Sequence, residues 1–188
     1  MSLVRFWRLL IVVGVSIAAG SCSNGRRAVA PSTSTTAVTA SSCRATQLKL
    51  GVGSTFGHAG TESQYFSLIN TASQSCTLTG YPNVSFVSAD GGVVANNFER
   101  ATTDPAPYPP GQPSCGSCPV TVTPGGIASF EINYGGGGVG CRGEYSWTTI
   151  RVSPPNDTGL LSTPFEGSAC GGGTVHVVRA GPPPSANG

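Results

Sequence analysis

Seven cysteines constrain this chain more than any other feature, because where each one goes decides compartment, anchor and fold together. They become useful as cross-links only if the chain leaves the reducing cytosol, and its first residues read as an export signal. Arg5 and Arg8 precede a run from 9 to 20 that is apolar apart from Ser16. Twelve residues are too few for a helix across ~30 Å of hydrocarbon, and they suit the core of a signal peptide. The run ends in Ala19-Gly20-Ser21-Cys22, where small residues let a peptidase reach the backbone. The arrangement resembles a lipobox, in which the cysteine thiol is acylated before cleavage. Ala19 stands where an aliphatic residue is usual. The alternative is an ordinary signal peptide with a chance cysteine. Residues 1–21 are therefore expected to be removed, and Cys22 to carry lipid. Six cysteines then remain, an even number, which fits disulfides.

The segments that follow differ sharply in composition. Residues 22–42 are rich in Ser, Thr and Ala and hold too little apolar surface to offset the entropy of ordering. They read as a lipidated flexible tether with a reach of ~25 Å. Residues 43–180 are long enough to bury a core. Residues 181–188 read as a disordered Pro-rich tail. From Cys43 onward there are six basic residues (Arg44, Lys49, Arg100, Arg142, Arg151, Arg179) against eight acidic ones. That balance lacks the basic footprint nucleic acid requires. Gly (27) and Pro (15) are abundant and only 10% of the chain is charged, which disfavours long helices.

Strand signals recur through 43–180. Leu48, Leu50 and Val52 alternate with Gln47, Lys49 and Gly51. Residues 64–70 hold Tyr65-Phe66-Ser67-Leu68-Ile69, and 84–87 run through Asp90-Gly91-Gly92 into Val93-Val94, a hairpin signal. Residues 120–122 turn at Pro124-Gly125-Gly126 into 127–134, where Ala128, Phe130, Ile132 and Tyr134 share one face and Ser129, Glu131 and Asn133 the other. Residues 145–152 and 174–178 complete the set, with His176 placed on a solvated face. No window carries a sustained helical period. The expected fold is all-β, an antiparallel β-sandwich stabilised by disulfides.

The strings Gly57-His58-Ala59-Gly60, Phe66-Ser67-Leu68-Ile69-Asn70-Thr71, Cys76-Thr77-Leu78-Thr79-Gly80-Tyr81-Pro82 and Asp90-Gly91-Gly92, continued by Pro124-Gly125, Cys141 and Cys170, resemble an actinobacterial envelope family known as domain of unknown function 4232. The resemblance implies an immunoglobulin-like sandwich in a secreted or lipid-anchored protein, and it brings no catalytic residues. The pair Cys115 and Cys118 departs from the pattern.

Candidate chemistry is sparse. Six cysteines allow fifteen pairings; joining sequence neighbours gives Cys43 with Cys76, Cys115 with Cys118, and Cys141 with Cys170. The first and third would each contribute ~3–4 kcal/mol by loop entropy. Cys115-x-x-Cys118 sits among prolines rather than at a helix start, so a structural clip is expected rather than a redox site. No metal site is expected, since only His58 and His176 supply imidazoles and no second Cys-x-x-Cys exists. The glycine run 135–140 matches a dinucleotide fingerprint only formally, for no helix follows. Glu62, Glu99, Asp104, Glu131, Glu144, Asp157 and Glu166 are scattered. Asn83-Val84-Ser85 and Asn156-Asp157-Thr158 match the glycosylation pattern without a context that gives it meaning. The functional expectation is a non-catalytic binding or structural module on the extracytoplasmic face of the membrane, without cofactor, meeting an envelope protein or glycan. Tyr108, on the proline-stiffened segment 104–110, is the expected contact, the other reading being that it folds back as a lid over one end of the sandwich. The alternative is an envelope hydrolase acting through two of the acids. A deep pocket with two converging acids would favour the enzyme, and shallow grooves over a filled core the module.

Overall fold

A computed structural model describes residues 40–94, 98–102, 118–136, 141 and 143–185, with the backbone alone at His58. The segment expected to be a signal peptide, Cys22 and most of the expected tether lie outside the described residues.

The described chain is all-β. Its strands are β1 (Leu48–His58), β2 (Thr61–Asn70), β3 (Cys76–Leu78), β4 (Asn83–Val87), β5 (Val93–Val94), β6 (Phe98–Arg100), β7 (Val120–Val122), β8 (Ile127–Gly136), β9 (Glu144–Ser153), β10 (Leu161–Val175) and β11 (Arg179–Ala180). A single 3₁₀ turn, η1 (Ala45–Gln47), is the one helical element among the described residues. None of the described helices is long and apolar enough to cross a membrane. One sheet runs β1-β2-β8-β10-β9-β4-β5, with β11 added to β8 and β6 to β10, while β3 and β7 form a separate ribbon. Pairings are antiparallel except β6 with β10.

The long sheet curls because β10 changes partners along its length. Its first part lies on β9, from Leu161 opposite Val152 to Cys170 opposite Glu144. Its last part lies on β8, with Gly173, Thr174 and Val175 opposite Tyr134, Asn133 and Ile132. Gly171 makes the bend with φ +75°, a conformation a side chain would strain, and the Tyr145 hydroxyl donates to its carbonyl at 2.5 Å. Strands that are not neighbours in the sheet are thereby brought face to face. Phe66 of β2 meets Phe165 of β10 at 5.2 Å, and Tyr134 of β8 meets Trp147 of β9 at 5.5 Å, both edge-on. Trp147 is the centre of the core and also packs on Phe86 at 4.3 Å. Leu78 and Val122 extend the same apolar cluster into the ribbon. Each fully buried large side chain contributes on the order of 1.5–3 kcal/mol.

Alternation in β8 puts Ala128, Phe130, Ile132 and Tyr134 into this core. The opposite face is covered as well, for Ser129 and Glu131 are also buried. His176, expected on a solvated face, is only 5% exposed. The reason is that β10 ends at Val175, so the strand alternation does not carry through 176. The His176 N–H instead donates to the Glu131 carbonyl, and its Nε2 lies 2.7 Å from Asn133 Nδ2. Ser63 Oγ donates to Asn133 Oδ1 at 2.6 Å and extends this polar layer.

The turn at 123–126 does not close a hairpin. It carries the chain from the ribbon to the long sheet, and Asn70 holds it. The Asn70 N–H donates to Gly126 and its carbonyl accepts from Gly125, while its fully buried side chain donates to the carbonyls of Gln74 and Val122 and accepts from Ala72 N–H. The described chain continues past Ala180 against the domain. Gly181 N–H donates to the Ile127 carbonyl at 2.9 Å, and Pro183 lies against Gly53, where a Cβ would come within 2.9 Å of its Cγ. Residues 186–188 lie outside the described residues.

Candidate functional site

Two loops meet at one end of the domain. The first joins β9 to β10. It turns tightly, with the Asp157 N–H donating to the Pro154 carbonyl at 3.2 Å and Asn156 in the left-handed region at φ +62°. Asparagine tolerates that conformation better than most side chains. Its Nδ2 donates to the Thr79 carbonyl at 3.3 Å, tying this loop to the second one. Asp157 reaches back to the start of the domain. Its Oδ2 accepts the Ala45 N–H at 2.6 Å and its Oδ1 the Thr158 N–H at 3.0 Å. The Ala45 N–H foremost, then those of Gly159 and Thr158 and the charge of Arg44, hold this carboxyl below the usual carboxylate range against the opposing effect of desolvation. Asp157 thus satisfies the first N–H of η1.

The second loop joins β3 to β4. Gly80 turns it with φ +99° and accepts the Val178 N–H. Tyr81 follows, its hydroxyl donating to the Ala101 carbonyl at 2.9 Å and its ring carrying the Arg100 guanidinium 5.4 Å from the centroid. Between the loops lies an open groove of about 550 Å³, walled by Tyr81, Asn83, Arg100 and residues 155–158. A second groove of about 440 Å³ shares residues 156–158 with the first and is walled also by Ser41, Ser42, Cys43 and Arg44. Each groove has Asp157 as its one acid. Chemically the pair offers guanidinium, amide and hydroxyl donors around a carboxylate that is already hydrogen-bonded.

The other expected site residues are dispersed. Cys43 is bonded to Cys76 across a Cα–Cα distance of 4.8 Å, both fully buried, and the link joins the segment before η1 to the ribbon. Cys141 is bonded to Cys170 at a Cα–Cα distance of 5.7 Å. Cys118 is disulfide-bonded, while Cys115, Tyr108 and Asp104 lie outside the described residues, as does Cys22. Glu144 accepts from Ser168 Oγ at 2.8 Å. Glu62 lies beside the Tyr134 hydroxyl, which burial first and Glu62 second push well above its ordinary value. Glu131 is buried, with its Oε2 unbonded among the described residues. The described residues contain no group of three His, Cys, Asp or Glu side chains placed to hold a metal ion. Sequence reasoning missed the role of Tyr81, Arg100 and Asn156. Two strings, Gly80-Tyr81-Pro82 and Asn156-Asp157-Thr158, held Tyr81 and Asn156 without any periodicity, and no string marked Arg100.

A family model described as Domain of unknown function (DUF4232) matches residues 43–182. Comparison with curated proteins and with solved structures gives no match.

Proposed function

We propose that this chain, which belongs to the DUF4232 family, works outside the cytoplasm as a lipid-anchored, non-catalytic binding or structural module of the cell envelope. The observation that carries the non-catalytic reading is the chemistry of the two grooves. General acid–base catalysis needs titratable groups converging on one substrate with a proton to give or take. Here the one acid, Asp157, has its oxygens engaged by backbone N–H groups and its carboxyl held ionised. Both grooves are open, and the aromatic core beneath the sheet is filled by Trp147, Phe86, Phe66 and Phe130. The anchored, exported address rests on the run ending in Cys22, and the disulfides fit an oxidising compartment.

The test uses intact cells expressing the wild type and Cys22→Ser. Wild type is expected in the membrane fraction, and the variant in the soluble fraction or as an uncleaved precursor. An identical distribution of the two would remove the anchor from the reading. Cross-linking in the same cells, with the captured partners identified by mass spectrometry, should yield a stable partner. Release of fragments from envelope glycan or peptide by the purified chain would overturn the non-catalytic role.

A further inference from the structure

We propose that the trough formed by the two grooves around residues 156–158 is a binding site for an acidic saccharide, with Arg100 receiving the sugar carboxylate; this rests on the binding-module reading and names its ligand class. Four observations converge on it.

The first is local charge. Two guanidiniums, Arg44 and Arg100, line the trough against one carboxylate. The domain as a whole has the opposite balance, six basic residues against eight acidic ones from Cys43 onward. A positive spot on an acidic domain selects for an anion and repels few of its own kind elsewhere.

The second is pre-organisation. Arg100 is the last residue of β6, and its backbone is fixed opposite Val175 of β10. Its guanidinium rests on the Tyr81 ring, and that ring is itself pinned through its hydroxyl to Ala101. Ala101 N–H in turn donates to Val175. The guanidinium donates no hydrogen bond to a described residue, so its planar fork of N–H groups is held in place and available. A fork in that state suits bidentate capture of a carboxylate at little entropic cost.

The third is the rest of the lining. Asn83, Asn156 and Thr158 offer amides and a hydroxyl, groups that both donate and accept. That complement matches vicinal sugar hydroxyls. Peptide side chains would ask for apolar subsites, and besides the Tyr81 ring, already under Arg100, the wall offers them little more than Pro155. The fourth is size. About 550 Å³ falls within the roughly 300–1,000 Å³ typical of small-ligand sites.

The test is calorimetric titration of the purified full chain with a short oligomer of glucuronate. The same oligomer with its carboxylates reduced to alcohols, and a peptide with a free C-terminal carboxylate, serve as comparisons. Arg100→Gln removes the fork at an exposed position, and its melting temperature should match that of wild type. Lys49→Gln removes a positive charge outside the trough. The expected result is binding of the acidic oligomer, at least tenfold weaker in Arg100→Gln, unchanged in Lys49→Gln, and lost with the reduced oligomer. Equal binding of the reduced oligomer, an equal loss in Lys49→Gln, or preference for the peptide would each overturn the site. No binding of the oligomer, with a cross-linked partner still captured in cells, overturns the site and leaves the module reading standing. Binding followed by shortening of the oligomer keeps the site and overturns the non-catalytic reading.

Discussion

Asn70 is a single side chain on which two sheets depend. Its amide ties three stretches of backbone together in a place water does not reach. Truncation to alanine leaves the carbonyls of Gln74 and Val122 and the Ala72 N–H short of partners in the interior. Asn70→Ala should therefore cost about 2–3 kcal/mol, read as a lower urea midpoint with an unchanged slope. Gly167 is constrained differently. A Cβ there would come within 2.6 Å of Trp147 Cζ2, so Gly167→Ala must displace the central core ring. The expected loss is about 1–3 kcal/mol. Asp157 makes a pH-dependent contribution. Its folded-state carboxyl is held below the usual range, so the folded chain takes up that proton less readily than the unfolded one. The contribution is complete above the unfolded carboxyl value of about 3.9 and fades as pH falls through the lower folded value. Asp157→Asn should melt below wild type at pH 7, with the gap closing under acid conditions; a gap constant from pH 7 to pH 2.5 would contradict this.

At the level of elements, legibility followed periodicity. β1, β2 and β8 were visible because Leu48, Leu50, Phe66, Leu68 and the 128–134 alternation point one way in sequence and in space. β10 was not, because Pro164, Gly167 and Gly171 read as punctuation. In the structure the shifts of register at those places let one strand serve two partners. The same physics misplaced His176, since an alternation written past the end of a strand assigns faces that no longer exist. The groove loops were illegible as a site because their meaning lies in a contact between residues 79–83 and 155–158, far apart in the chain. The cross-links can be ranked by element too. Cys43 and Cys76 are fully buried, whereas Cys141 and Cys170 are each partly exposed. A thiol reductant reaches an exposed sulfur first. Mild reduction followed by alkylation and mass mapping should therefore label Cys141 and Cys170 before Cys43 and Cys76.

For the whole molecule, the bond from Cys43 to Cys76 also decides how the domain responds to mechanical load. A pull applied at the two ends of the chain enters the described domain at Cys43, and the covalent bridge hands the tension directly to β3. β1 and β2 sit inside the bridged loop and carry none of it. Those two strands supply the rim that Pro183 and β8 rest on, so a stretched chain keeps that rim while the ribbon takes the strain. With a sequence separation of 33 residues, the bridge withholds roughly 110–120 Å of extended chain. Pulled in an optical trap, the oxidised chain should come up short of the Cys43→Ala/Cys76→Ala chain by that length. Under such a load β1 and β2 would be the last strands drawn out.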